Sequence, residues 1–347
     1  MKKVKYLIVG QGIAGSLLAV ELIRSGSEVH VINYETENTS SNKAAGIYNP
    51  ITGRKMVKTW LADSLFPNLE PYYKQLELEL EAKFLHSKTI YRPFYSNEEL
   101  NDWAGKAAEL SYKPYIKEIC TSPSGIVGVQ DPYGGLFLNY SGYVDIPTLT
   151  ISIRKALIDK GSYTNELFDF EQLKINSQVS YKDFGADHVL FCDGPRVGEN
   201  PYWNYLPFRP VKGEILEIDT SLPTDTIVNR GVFVLPKKGH FSVGSTYDHD
   251  NLDYVPSMKG IKNLKDRLRK LYQGDYTVVS ESAGVRPATF DRRPFIGSHP
   301  NQHRVGLFNG FGTKGVSLVP YFAGQYVNYL KRGGELLAEV DVIRVKI

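Results

Sequence analysis

Gly10-Gln11-Gly12-Ile13-Ala14-Gly15 has the residue types and spacing of a phosphate cradle. In such a cradle the first glycine permits a tight turn and the second lets backbone approach a pyrophosphate. The third lets helix and strand pack closely. A helix opening at this point turns free N–H groups and a positive dipole end toward the phosphates. A plain glycine-rich turn without a ligand is the alternative, and context weighs against it. Residues 4–9, VKYLIV, read as a buried strand directly before the glycines, and residues 14–25 have helical periodicity directly after them. Roughly twenty residues on, where dinucleotide sites place an acid against the ribose hydroxyls, stands Asn33. Glu35, two residues later, is the charged alternative for that contact. Nothing basic occupies that strand end, so a 2′-phosphate is not indicated.

The elements that must position this turn recur along the chain. Residues 28–32 give a second strand, which completes a β-turn-α-β unit, and residues 36–44 are a small polar loop. Residues 60–85 read as helical. From about 86 to 140 the sequence becomes rich in Tyr, Pro and turn dipeptides, with short strands. A helix returns over 146–160, and residues 186–194 form a buried strand running into Gly194. Residues 209–280 are strand-rich, then mixed. A short strand at 305–308 precedes Gly310, Gly312 and Gly315, and a last helix covers about 316–331. The alternation predicts two interleaved domains.

Composition narrows the function. At roughly 150 residues per domain, 347 residues correspond to about two domains. A hydrophobic share of 42% with 23% charged residues is ordinary for a globular chain. A net charge of +3 argues against a general nucleic-acid or membrane-surface binder. The two cysteines, Cys120 and Cys192, form no CxxC pair, so neither a disulfide framework nor a zinc ribbon is expected. Residues 2–23 pair lysines with an apolar stretch, but Gly-Gln-Gly, Glu21 and Arg24 speak against a signal peptide. The expectation is a cytoplasmic protein without membrane spans.

Five blocks in order carry a resemblance. They are VGQGIAG at 9–15, SSNKAAGI at 40–47 and ADHVLFCDG at 186–194. PVKGE at 210–214 with GST at 244–246 forms the fourth, and AGVRPATFDRRPFIG at 283–297 with NGFGTKGVSLVP at 309–320 the fifth. Together they resemble the D-amino-acid-oxidase-like family of FAD-dependent oxidoreductases, the family of glycine oxidase and sarcosine oxidase, over nearly the whole chain. The 40–47 loop is also similar to the oxidase half of a bifunctional tRNA wobble-uridine modification enzyme. The implied fold is α/β (α+β overall), a Rossmann-like FAD-binding domain interleaved with a mostly antiparallel substrate sheet. The FAD-binding segments would be 1–85, 143–208 and 282–347, and the substrate domain 86–142 and 209–281.

The resemblance also implies roles. Cofactor contacts fall to Gly10, Gly12, Ile13, Ala14, Gly15, Asn33 and Ser41, to Ala44, Ala45 and Gly46 beside the flavin edge, and to Gly194. They fall further to Gly312, Thr313, Lys314, Gly315 and Val316 at the start of the last helix. Arg286 would hold a substrate carboxylate bidentately over the flavin. The alternative for it is a structural pairing with Asp291 or Glu281. Lys314 would add positive charge near the reduced flavin, or stand solvated in a turn, and Tyr48 with Ile47 would line the pocket. The implied reaction is hydride transfer from an amine carbon to flavin N5 of noncovalent FAD, on a small amino acid or secondary amine carrying a carboxylate. Three positions depart from close relatives. Phe233 stands where glycine oxidase has a tyrosine, Ser242 where sarcosine oxidase has a lysine, and Gly284 near its flavin-linking cysteine. Two other readings stay open: an oxidase of a carboxymethylaminomethyl-modified tRNA base, and a flavin-fold binding protein without catalysis.

Overall fold

In the computed structural model, which describes residues 2–53 and 55–346, the first strand lies at the centre of a parallel sheet. The strand order is Tyr163–Asn165, Val29–Asn33, Lys2–Val9, Phe184–Phe191, Gln302–Asn309, every neighbouring pair parallel. Antiparallel strands extend one side: Val179–Tyr181 pairs the first half of Phe184–Phe191, and Phe295–His299 pairs Gln302–Asn309. The apolar run of the first strand reflects burial on both faces. Tyr6 and Ile8 enter the core beneath the helices, and Leu7 and Val9 the core around Trp203.

Six α-helices are present among the described residues: α1 (Ile13–Arg24), α2 (Ala62–Leu80), α3 (Asn97–Lys106), α4 (Ile146–Asp159), α5 (Met258–Leu271) and α6 (Gly315–Arg332). Helices α1, α2, α4 and α6 supply one continuous core over the parallel sheet, through residues such as Leu18, Leu69, Leu149 and Phe322. None of the six is long and apolar enough to cross a membrane.

The second sheet has eight strands in the order Thr277–Arg286, Val211–Asp219, His240–Gly244, Val232–Lys237, Ile227–Arg230, Ile90–Pro93, Gly135–Leu138, Ile116–Cys120. All its pairs are antiparallel except Ile227–Arg230 with Ile90–Pro93. Helix α5 covers one face, setting Ile261, Leu264 and Leu268 against Leu216, Val234 and Val243. The α/β architecture with an antiparallel partner sheet therefore agrees with the expectation. Two details differ. Residues 282–286 pair within the second sheet, so the strand carrying Arg286 runs past the boundary drawn at residue 281. Helices α3 and α5 also stand where only strands or mixed structure were read.

The glycine turn is fixed by backbone contacts. Gly10 has φ +96°, and a Cβ there would lie 2.5 Å from the carbonyl oxygen of Cys192. A Cβ on Gly15 would overlap the carbonyl of Gly10. Neither neighbour is a side chain that can rotate away. Gly15→Ala should therefore destabilise the protein by about 3 kcal/mol or more, at the upper end of overpacking costs, read as a lower urea midpoint. Gly161→Ala, at an open surface turn with positive φ, should cost clearly less.

Candidate active site

The parallel sheet and the second sheet enclose a cleft of about 2130 Å³. That is about twice the upper end of ordinary small-ligand pockets, roughly 1,000 Å³, so a dinucleotide and a second molecule fit together. Of the sequence-predicted cofactor residues, Gly10, Gly12, Ile13, Ala14, Asn33, Ser41, Ala44, Ala45, Gly46, Gly194 and Gly312 to Val316 all line it. Gly15 does not; its place is the packing contact described above.

Helix α1 has no side-chain cap of its own and no acid in its first turn, and α6 is the same. Their N-termini meet: a Cβ on Gly315 would lie 3.3 Å from Ile13 Cγ2. Two positive dipole ends thus converge on the cleft without internal neutralisation. Ser41 Oγ accepts the Ile13 N–H at 3.0 Å, leaving its own O–H for another acceptor. Gly194, at φ +59°, opens onto free space. These features fit a bound pyrophosphate and an electron-accepting ring system. Gly46 has a different reason for being glycine, since a Cβ there would overlap the carbonyl of Val144.

Asn33 plays a structural part. Its Oδ1 accepts the Gln11 N–H at 2.9 Å and its Nδ2 donates to the Tyr163 hydroxyl. Glu35 accepts from Arg154 at 2.5 Å and from Tyr163 at 3.2 Å. Gln11, buried, bridges Ser16, Thr150 and Arg154. The neutral Asn33 therefore ties the glycine turn to the neighbouring strand, and Gln11 ties it to α4.

Arg286 leaves the end of its strand and lies over Gly213, where a Cβ would overlap its guanidinium. Nη1 donates to the Thr246 carbonyl at 3.3 Å, and the guanidinium stands 5.1 Å from the Tyr247 ring centre. The structural pairing is absent: Asp291 pairs with Arg344 at 3.0 Å and Glu281 with Lys265 at 3.8 Å. Arg286 has no carboxylate partner among the described residues, and burial holds its pKa below arginine's usual range. Thr246 is tied down from behind, its hydroxyl donating to buried Glu214 at 2.9 Å.

Lys314 caps α6, with Nζ 3.3 Å and 3.4 Å from the hydroxyls of Thr52 and Thr59. Burial, with Arg293 and Arg292 nearby, pushes its pKa down to about 8. Tyr48 and Ile47 line the cleft as expected, but the Tyr48 hydroxyl is already committed. Tyr48 is 2% exposed and its hydroxyl donates to Glu70 at 2.9 Å, so it offers no free hydroxyl for chemistry. Ser242 is likewise buried, with its hydroxyl on Glu217. Phe233 lines the cleft. Sequence reasoning gave no role to Asp193, although it directly precedes the singled-out Gly194. Its carboxylate accepts from Asn200 and Asn309, and burial raises its pKa to about 6.

Among the described residues, three side-chain carboxylates line the cleft, those of Glu35, Glu166 and Asp193, against many cations. Glu35 and Glu166 pair with Arg154 and Lys182. Lys43, Arg209, Arg267, Arg286, Arg292 and Lys314 have no carboxylate partner among the described residues. The cleft is built to receive anions.

A family model described as FAD dependent oxidoreductase (DAO) matches residues 5–330, and the chain belongs to that family. It is an FAD-dependent amine or amino-acid oxidoreductase. Glycine oxidase of Geobacillus kaustophilus is 23% identical over 343 residues, spanning 90% of this chain and 89% of the relative. The tRNA 5-methylaminomethyl-2-thiouridine biosynthesis bifunctional protein MnmC of Legionella pneumophila is 24% identical across 85% of this chain, which takes in 46% of that longer protein. Among solved structures, iminodiacetate oxidase from Chelativorans sp. BNC1 superposes with a TM-score of 0.79 at 21% identity, covering 96% of this chain and 98% of its own.

The lysine carries a stability consequence. Its folded pKa is depressed, so its contribution to stability is present above the unfolded value of 10.5 and lost as pH falls through about 8. At pH 7 the buried charge beside two arginines therefore costs stability in the cofactor-free protein. Lys314→Met should raise the thermal midpoint of cofactor-free protein at pH 7, and the gain should shrink toward pH 10. Calorimetry across that range checks it.

Proposed function

We propose that the protein oxidises the C–N bond of a small amino acid or secondary amine that carries a carboxylate, using noncovalently held FAD. The observation that carries this reading is Arg286, a guanidinium without a carboxylate partner in the same cleft as the glycine turn. A planar fork of N–H donors matches a carboxylate in two parallel hydrogen bonds. That fixes the substrate's position and the direction of its reacting carbon, which is where most of the protein's leverage lies. The names of the relatives, glycine oxidase and iminodiacetate oxidase, agree with a substrate of this kind.

The α1 N-terminus, Ser41 and Gly194 would hold the pyrophosphate half of the cofactor, and the 44–46 loop and α6 N-terminus its ring system. FAD, when bound, supplies the two-electron acceptor. The chain's own residues then set the field. The α6 N-terminus and the Lys314 ammonium would stabilise negative charge on a ring system held there. Tyr247 and Phe233 line the same cleft, with the Tyr247 ring against Arg286. The reacting amine must enter neutral, because a protonated amine has no lone pair to assist loss of hydride from its carbon.

The test is the visible spectrum of FAD-loaded protein, taken anaerobically while glycine, sarcosine and other small amino acids are added. Bleaching of the flavin band by one of them supports the proposal. A band that none of them bleaches overturns it and moves weight to a large substrate such as a modified tRNA base. Arg286→Ala should raise KM for the bleaching substrate by at least about 30-fold, on the order of 2 kcal/mol for a lost charge-assisted pair, with FAD retained. Arg286→Lys should recover little, since a point charge cannot reproduce the fork.

A further inference from the structure

Arg267, on α5, reaches the same segment as Arg286 and lines the same cleft. Its Nη2 donates to the Ser245 carbonyl at 3.1 Å and its Nη1 to the Gly231 carbonyl at 2.9 Å. Arg286 donates to the next carbonyl, that of Thr246. Two guanidinium groups are therefore hung on successive residues of one strand end. The two acceptor carbonyls belong to adjacent residues, and both side chains line the one cleft.

Neither group has a carboxylate partner among the described residues, and neither is satisfied by the carbonyls it holds. A guanidinium has five N–H donors. Arg267 uses two, and its Nε is buried with no hydrogen-bond partner. Arg286 uses one. Burial lowers the pKa of both. Tyr247 stands by both groups, and Tyr95 by Arg267. The two tyrosines are 65% and 57% exposed, so this part of the cleft is open to an incoming molecule. Leaving donors on two cations unmade at one site is costly unless an anion completes them.

We propose that Arg267 is a second anion-binding residue and that the substrate is an amine bearing two carboxylates. One carboxylate sits on Arg286, and the other reaches Arg267 beside Tyr247. The inference rests on the oxidase reading above and names its substrate class. A carboxylate at each end also orients an amine that one anchor would leave free to rotate.

The experiment titrates FAD-loaded protein anaerobically with sarcosine and with iminodiacetate, which differ by one carboxylate. In parallel, the unreactive pair acetate and malonate is titrated by the perturbation of the flavin band. The expected result is at least tenfold tighter binding of each two-carboxylate member. Arg267→Gln should abolish that preference while leaving the affinities for sarcosine and acetate within about twofold. Arg286→Gln should weaken all four. Equal affinity for one and two carboxylates in the unaltered protein overturns the inference. So does an Arg267→Gln variant that weakens all four ligands alike or merely lowers the thermal midpoint, which would make Arg267 a carbonyl clamp. Absence of bleaching by either amine, with malonate still preferred, would sink the oxidase reading but leave the second anion site standing.

Discussion

The contact between the Gly15 Cα and the Gly10 carbonyl is the constraint on which the rest of the molecule is built. It holds α1 so close to the first strand that no side chain fits between them. The same turn lies against Cys192, at the end of the neighbouring strand, and Ile13 lies against Gly315 at the start of α6. Three chain segments that are far apart in sequence are thereby brought to one point. The two helix N-termini face the cleft because the packing leaves them no other orientation.

What is gathered at that point is an excess of positive charge. Folding places Lys314, Arg286 and Arg267 in half-buried positions and supplies none of them with a carboxylate. Unpaired buried charge opposes folding. The large hydrophobic cores on both faces of the parallel sheet, together with the one beneath α5, are what allow this to be tolerated. Anions entering the cleft remove the opposition, so affinity for cofactor and substrate is drawn partly from strain present in the empty protein.

Much of this was legible in the sequence where local pattern and function coincide. The glycine turn, its flanking strand and helix, and α6 all carry short-range periodicity and sit where it predicted. Arg286 stood out because its block is contiguous. Helix α3 was missed although Ser96 and Glu99 show the Ser-x-x-Glu spacing of a helix start, and Ser96 Oγ does accept the Glu99 N–H. Helix α5 was missed although Ile261, Leu264 and Leu268 recur at helical steps. In both cases the surrounding Tyr- and strand-rich text outweighed the local signal. Tyr48 was legible in part. Sequence places it beside the cleft, but only the packing of α2 shows that its hydroxyl is taken by Glu70. Arg267 was invisible because its partner carbonyls are set by pairing between distant strands, which no local spacing encodes.

The order of strands in the parallel sheet bears on how the protein is made. The first strand, which carries the glycine turn, pairs with residues 184–191, and those in turn pair with residues 302–309. Helix α6 comes later still. During synthesis the cradle is therefore completed only after residues 302–332 have emerged. Loop closure over such separations is slow, and exposed strand edges are prone to mispairing. A cradle that needs both helix N-termini can receive the cofactor only once α6 has formed.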